Sequence, residues 1–412
     1  MAADRWRGSG ARQEVARSGR RSAVAARSGR PAGRGARNDV DLVVLSEVRW
    51  GYFRTRKQFL LSRFPPHWRI FFAQPPAFGG DDPWTPRQEG NVTYFTVPFL
   101  KPGTRLGAYN ALIELGLGRG VVEWAAERQL RAVLGRLGVE PKPALLVSNI
   151  YAARCLSRLP WKRVFYDFND SPFQFSTSPP WAGEYWQRTR DGVDLFFVVS
   201  EYYRRQLSRE TDRPLVVIGN GVEFDRFAEP RQVPDDLRDL PRPLIGYVGL
   251  LSHFLDFKAL EALRVARRGG TVVLIGPGSP ATDSAVAEFA TRDGVRVLGS
   301  RPYEEVPAYM QALDLGVIPF RADDPHVQGI NPNKVYQYLA AGVPVVTTPI
   351  LDLTPAPPAL SFASDAAAFA RVAGETLDAA GDREACRAIA RGHDWSSLAQ
   401  RMVQVLEEQL AA

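Results

Sequence analysis

The run Asn331-Pro332-Asn333-Lys334-Val335-Tyr336-Gln337-Tyr338-Leu339-Ala340-Ala341-Gly342-Val343-Pro344-Val345-Val346 carries the sharpest chemical signal in the chain. Asn331 can cap a helix, and Pro332 then takes the first helical position, where a missing N–H costs nothing. Gly342 supplies a stop, and residues 343–347 read as a short buried strand. Lys334 falls in the first turn, at the positive end of the helix dipole, where a cation is disfavoured by roughly a few tenths of a kcal/mol. An anion such as a phosphate, bound at that turn, would make sense of the lysine. Gln337 lies three residues on and shares its face. The competing reading is an ordinary lysine on a surface helix.

Such a residue needs a frame. From residue 40, apolar runs alternate with helical patterns. Strands are expected at 40–45, 69–73, 91–97, 144–148, 163–167, 195–200 and 215–218, with helices at 57–64, across most of 107–138, and at 201–209. Continuous apolar strands of this kind indicate a parallel sheet covered on both faces. A stretch rich in Pro, Asp and Arg at 226–243 reads as a linker. The alternation restarts with strands at 244–249, 271–276, 295–299 and 313–319. A helix is expected at 256–267, another after Pro302, and a long amphipathic one over 393–410. Two doubly wound α/β units leave a cleft between the carboxyl ends of their strands, where such folds bind ligands. The expected organisation is a tail at 1–37, a first domain at 38–225, the linker at 226–243, a second domain at 244–390 and a closing helix at 391–412.

At 412 residues there is room for two domains, and the 45% apolar content suits a folded chain. Four His and two Cys, widely scattered, do not suggest a structural zinc site or a disulfide scaffold. No stretch approaches the length of a spanning helix and no secretory signal is evident, so a cytoplasmic location is expected. Residues 1–37 hold ten Arg and two acids, a net of +8 against +7 for the whole chain, which leaves the remaining 375 residues at −1. The basicity therefore belongs to a Gly/Ala/Ser/Arg-rich tail that is expected to be disordered. It is either an arm for anionic partners or an incidental extension. The nearly neutral body does not suggest nucleic-acid binding.

Four motifs in register carry a resemblance. Residues 193–201 form a strand and helix start, and 217–227 (Val217-Ile218-Gly219-Asn220-Gly221-Val222-Glu223-Phe224-Asp225-Arg226-Phe227) resemble an N-G-V-D-x-x-x-F crossing. Residues 245–249, 274–278 and 298–309 resemble three successive strand–helix units. The Lys334 run resembles x-P-x-K-x-x-E-Y-L-A-A-G-x-P-V-V. Together these resemble retaining GT-B glycosyltransferases of the family-four type, which use activated sugar nucleotides. Residues 46–59 are similar, more loosely, to the start of teichuronic-acid and exopolysaccharide glycosyltransferases.

The resemblance implies two Rossmann-like domains and a nucleotide diphosphate sugar in the cleft, as co-substrate, with no further cofactor. Lys334 and the first turn around Asn331 and Asn333 would face the diphosphate, with Arg321 as a second cation. Gly249 would allow close backbone approach. The backbone around Arg301-Pro302-Tyr303 would hold the base, in a pocket lined by Gly276 and Gly278. For any one of these glycines, simple turn chemistry competes. Three departures stand out. Gln337 replaces a glutamate that binds ribose, Gly329 replaces a glutamate facing the sugar, and Leu250 and Asp256 replace an Arg and a Lys. On the acceptor side, Asn169 and Asp170 occupy a corner where the family places a His or Asp; an Asx turn competes there. Trp50, Gly51 and Arg54 would form an acceptor loop. The transition state would be oxocarbenium-like, and Lys334 and Arg321 would make a metal unnecessary. A metal reading of Asp167 and Asp170 fits poorly, because the spacing is D-x-x-D.

The acceptor would be a saccharide or a lipid-linked sugar, in surface polysaccharide or glycolipid synthesis. Arg54, Arg56, Lys57, Arg63, His67, Trp68 and Arg69 cluster with Phe53, Phe59 and Phe64, which suggests peripheral contact with the inner face of the membrane, or else a solvated face over a core stripe. A non-catalytic GT-B-like partner subunit and a two-domain ligand-binding protein are the alternatives.

Overall fold

The computed structural model describes residues 40–412 apart from 52–53, 78–81, 172, 174–177, 267–268, 354–355, 358 and 380. The Arg-rich stretch 1–37 and Phe53 lie outside the described residues. Two sheets organise the rest. The first holds β1 (Val40–Leu45), β2 (Trp68–Gln74), β3 (Arg87–Glu89), β4 (Val92–Thr96), β5 (Ala144–Val147), β6 (Val164–Phe168), β7 (Leu195–Val198) and β8 (Leu215–Val217). Its order is β3-β4-β2-β1-β5-β6-β7-β8. Every pair is parallel except β3 with β4. The all-exposed Arg-Gln-Glu of β3 is too short and polar to announce itself as a strand.

The second sheet holds β9 (Leu244–Val248), β10 (Thr271–Ile275), β11 (Val295–Gly299), β12 (Leu315–Ile318), β13 (Val345–Thr347) and β14 (Leu360–Phe362), in the order β11-β10-β9-β12-β13-β14, all parallel. Each sheet reverses its winding once, beside β1 in the first and beside β9 in the second. The crevice outside the carboxyl ends at a reversal is where open α/β sheets take ligands.

The segment 226–243 is more ordered than a bare linker. It overlaps the helices Phe224–Ala228 and Asp235–Arg238, whose Phe227 and Leu237 are fully buried. The closing helix Trp395–Ala411 starts at Asp394, whose Oδ1 accepts from Ser396 N at 2.7 Å. Its apolar face joins the core of the first sheet: Trp395 stacks on Phe59 at 5.2 Å, and Leu398, Met402 and Leu406 are buried beside them. Each such large apolar side chain contributes roughly 1.5–3 kcal/mol. The chain therefore crosses from the first sheet to the second and returns.

This packing buries the aromatic part of the cluster around residue 60, while Arg54 and Arg69 stay exposed. Phe59, Phe64 and Trp68 are core residues, Arg56 and Lys57 are buried, and Arg69 is forked onto Asp41 at 2.6 Å. Its aromatic side chains form the underside of the closing helix, so they are not available as a surface.

Candidate active site

The helix Asn333–Ala340 is placed by Tyr338. Its hydroxyl donates to Gly246 O at 3.0 Å and accepts from Val248 N at 2.7 Å, which bolts the helix to β9. Gly316 on β12 makes room: a Cβ there would lie 2.7 Å from the Tyr338 ring. Lys334 precedes Tyr338 by one helical turn, so both point at β9. The lysine runs along the end of that strand, and a Cβ on Gly249 would meet its Cε at 2.0 Å. The ammonium lies 6.0 Å from the centre of the Tyr247 ring. Among the described residues it has no carboxylate partner. Burial lowers the Lys334 pKa from its ordinary value. The structure therefore holds a poorly solvated cation in the first turn of a helix, at the winding reversal of the second sheet.

Glycine shapes the floor of this crevice. Gly249 has φ 150° and Gly276 has φ 145°, conformations that other residues rarely adopt. A Cβ on Gly276 would sit 1.9 Å from Gly249 O. The ends of β9 and β10 can approach only because both positions lack side chains.

At the reversal of the first sheet the charges are paired instead. Glu47, just past β1, accepts from Lys57 Nζ at 2.6 Å and from Ser148 Oγ, past β5, at 2.5 Å. Burial lowers the Lys57 pKa, but Glu47 and Asp167 more than reverse that, so it ends above its ordinary value. On β6, Asp167 is buried and pairs with the buried Arg56 at 3.1 Å. Asp170 stands at the rim, where the Asn169 amide donates to it at 2.7 Å. Withdrawal from bulk water raises its pKa to about 6; Lys57 opposes the shift, and Glu47 and Asp167 add to it. Asp170 is thus a carboxyl group poised to change charge near neutral pH. Among the described residues, no three His, Cys, Asp or Glu side chains gather as metal ligands would.

The two corners are tied together by hydrogen bonds. Arg56 Nη1 donates to Gly219 O at 2.5 Å. The next residue, Asn220, donates its backbone N–H to Asn331 Oδ1 at 3.1 Å and its side-chain amide to Asn331 O at 2.8 Å. Asn331 Nδ2 in turn donates to Asp352 Oδ2 at 3.0 Å. Behind this crossing lies a cavity of about 450 Å³, lined in part by Asn331, Tyr336, His393 and Arg401. Tyr336 is two residues from Lys334 and so points to the opposite side of the helix.

Known proteins resemble this chain in fold and, over part of its length, in sequence. Residues 242–379 match the model of glycosyl transferases group 1. The sucrose-phosphate synthase of Thermosynechococcus elongatus superposes with a TM-score of 0.67 at 14% identity, covering 90% of this chain and 99% of that one. The chain has the GT-B fold. Anabaena Alr3699/HepE, solved in complex with UDP, has a TM-score of 0.59 at 16% identity, covering 90% of this chain and all of that one. In sequence, the chain is 28% identical over 215 residues to the teichuronic acid biosynthesis glycosyltransferase TuaH of Bacillus subtilis (strain 168), covering 48% of this chain. The match spans about half the length of that relative, 54%.

Within the GT-B frame several residues sit differently from expectation. Asn331 does not cap its helix. The N-cap position belongs to Pro332 and has no side-chain bond, because the Asn331 amide is committed to the domain crossing. Asn333 opens the helix, half-buried beside Lys334. Arg321 is more than half exposed and turned onto Asp323 at 3.2 Å, not onto the lysine. The two exposed side chains form a weak surface ion pair. The Arg301 side chain donates to Asp236 and Tyr309, both at 2.7 Å, which leaves only backbone near 301–303 for a base. Gly278 is backed by Asp283, whose Oδ1 would be 2.6 Å from a Cβ.

Gln337 is nearly buried, and its amide donates to the Tyr303 hydroxyl, which itself donates to Glu223 Oε2 at 3.1 Å. Glu223 also gathers Arg226 at 3.2 Å, Arg63 at 3.4 Å and Arg54 at 4.0 Å. Arg54 thus reaches across to the crossing segment. Trp50, expected in an acceptor loop, is a core residue: it packs on Phe72 at 5.2 Å and donates through Nε1 to Glu89 at 3.0 Å. Gly51 beside it is exposed, with open space around it. Glu47 and the role of Arg56 escaped sequence reasoning. Their partners lie on other strands, and only the winding order brings them together.

Proposed function

We propose that this chain transfers a sugar from a nucleotide diphosphate sugar to a saccharide or lipid-linked acceptor, with retention and without a metal ion, in the synthesis of a surface polysaccharide or glycolipid. One observation carries it: the Lys334 ammonium, without a carboxylate partner among the described residues, is held against Gly249 at the winding reversal of the second sheet. A diphosphate there would meet the ammonium and the N–H groups of the first helical turn. Negative charge grows on the leaving diphosphate as the glycosidic bond breaks, and a preorganised cation stabilises that change. Asp170, across the cleft, would contact the acceptor hydroxyl or the transferring sugar. TuaH is named for teichuronic acid biosynthesis and Alr3699/HepE was solved with UDP, which agree with such a donor and such a product.

One feature favours the non-catalytic alternative. Gly329, where the family places a sugar-facing glutamate, leaves no room for one: a Cβ would lie 2.7 Å from the Tyr203 ring. Its carbonyl instead accepts from Ser200 Oγ at 2.9 Å. The site therefore lacks that carboxylate by construction. Nucleotide release from a panel of UDP-, GDP- and dTDP-sugars decides between the two. Turnover with one donor, lost in Lys334→Ala, supports transfer. A protein that binds nucleotide but releases none from any sugar is the partner subunit.

A further inference from the structure

The segment that follows β4 does something unusual. The helices Gly107–Glu114 and Gly116–Arg136 meet at a tight elbow that carries large apolar side chains on the outside. Leu115 is 64% exposed, Leu117 90%, Val121 62% and Trp124 52%. Leu117, Val121 and Trp124 follow the i, i+4, i+7 spacing of one helical face. Leu106, just before the first helix, and Leu112 on it are also exposed. The elbow is not a loose end. Gly118 packs so closely that a Cβ would sit 2.0 Å from Leu112 O. Arg119 closes the first helix by donating to the Ile113 and Glu114 carbonyls at 3.0 and 3.1 Å. The apolar residues are displayed on a built surface.

The exposed charges at its rim include Arg105 and Arg128 against one acid, Glu114, which accepts from Trp181 Nε1 at 3.3 Å. Arg128 lies over the Trp124 ring at 5.6 Å, and Arg105 is exposed before the first helix. Tryptophan beside arginine, at the edge of a leucine patch, matches a headgroup layer over acyl chains. The position also matters. Arg119 covers Trp181 at 4.7 Å, and Trp181 meets Tyr151 at 5.6 Å, just past β5 and the Ser148–Glu47 bond. The elbow thus borders the acceptor side of the cleft. Among the described residues, no helix is long and apolar enough to cross a membrane.

We infer that this elbow docks on an anionic lipid surface, with Leu117, Val121 and Trp124 entering the acyl boundary and the arginines facing headgroups. It rests on the transfer reading above, since it would present a lipid-linked acceptor to the Asp170 corner. The test is co-sedimentation of the full chain with phosphatidylcholine–phosphatidylglycerol vesicles at low and high salt. It is paired with tryptophan quenching by brominated acyl chains. Binding through the Arg-rich stretch 1–37 alone would vanish at high salt, whereas apolar insertion would persist. The expected result is binding that survives salt, falls at least about tenfold in Leu117→Glu/Val121→Glu, and loses its quenched component in Trp124→Phe.

Equal binding by the double variant, or binding that salt abolishes entirely, would overturn the inference. So would self-association of the wild type that the double variant abolishes, which would assign the face to a second copy of the chain. Unchanged melting of the double variant guards against misfolding. Nucleotide release with a soluble acceptor is expected to stay at the wild-type rate in that variant, so failure of docking is distinguishable from failure of transfer.

Discussion

The two winding reversals hold charge in opposite ways. At the first sheet, Lys57 meets Glu47 and Arg56 meets Asp167, so each buried cation has its anion. At the second, Lys334 is half-buried and, among the described residues, has no anion. A paired charge under a sheet end is scaffold, because its field is already cancelled. An unpaired one is an unfinished interaction, and the missing half comes from outside. The proposed function puts the donor diphosphate at the second reversal and the acceptor at the first, and this contrast supports that reading.

The largest effect expected from breaking this contrast is at Lys334. Lys334→Ala lowers nucleotide release by about 10²–10³-fold, the usual range for removing one preorganised charge donor. Its melting temperature in the absence of ligand stays level or rises, because an unpaired desolvated cation has been removed. Steady-state kinetics and thermal melts check the two halves together. Arg56→Ala behaves in the opposite sense. It strands the buried Asp167 carboxylate and costs about 3–5 kcal/mol of folding stability, read by denaturant titration.

Gly249→Ala sharpens the geometry. The new methyl collides with Lys334 Cε and strains the backbone by about 1–3 kcal/mol, so donor KM rises while acceptor KM does not.

Asp170 gives a signature in pH. Its folded pKa of about 6 lies above the ordinary 3.8, so its stabilising effect is complete below pH 3.8 and is lost as pH rises through 6. Asp170→Asn therefore gains stability relative to wild type above pH 6. If the carboxylate serves transfer, wild-type rate climbs through that pH and the variant shows no such limb. The smallest change is at Gln337. Gln337→Glu puts a second carboxylate beside Tyr303 and Glu223, and we expect donor KM to move by less than about 1 kcal/mol.

Much of this frame was readable before any coordinates. The apolar runs at 40–45, 144–148, 244–249 and 271–276 form parallel strands because largely apolar segments of this length must be covered on both faces. Lys334 stood out because local helix electrostatics depends only on neighbours in sequence. What stayed hidden depends on partners far along the chain. Asn331 looks like a cap in isolation, but Asn220, 111 positions away, claims its side chain. Trp50 looks like a loop aromatic until Phe72 and Glu89 close around it. The aromatic residues near residue 60 read as a surface in isolation, because the closing helix that buries them lies more than three hundred residues on. The exposed stripe on 116–136 was invisible for the converse reason. Its apolar spacing is that of a core helix, and only the fold shows which face lacks a partner.

The most direct test of the unpaired-cation account is a comparison of nucleotides by calorimetry. The preferred nucleoside diphosphate and its monophosphate are titrated into wild type and into Lys334→Met. The account predicts that the wild type favours the diphosphate by at least about tenfold and that the variant binds both alike, with affinity for the monophosphate little changed. A variant that keeps the full diphosphate preference would contradict it, and the pyrophosphate would then lie elsewhere in the cleft.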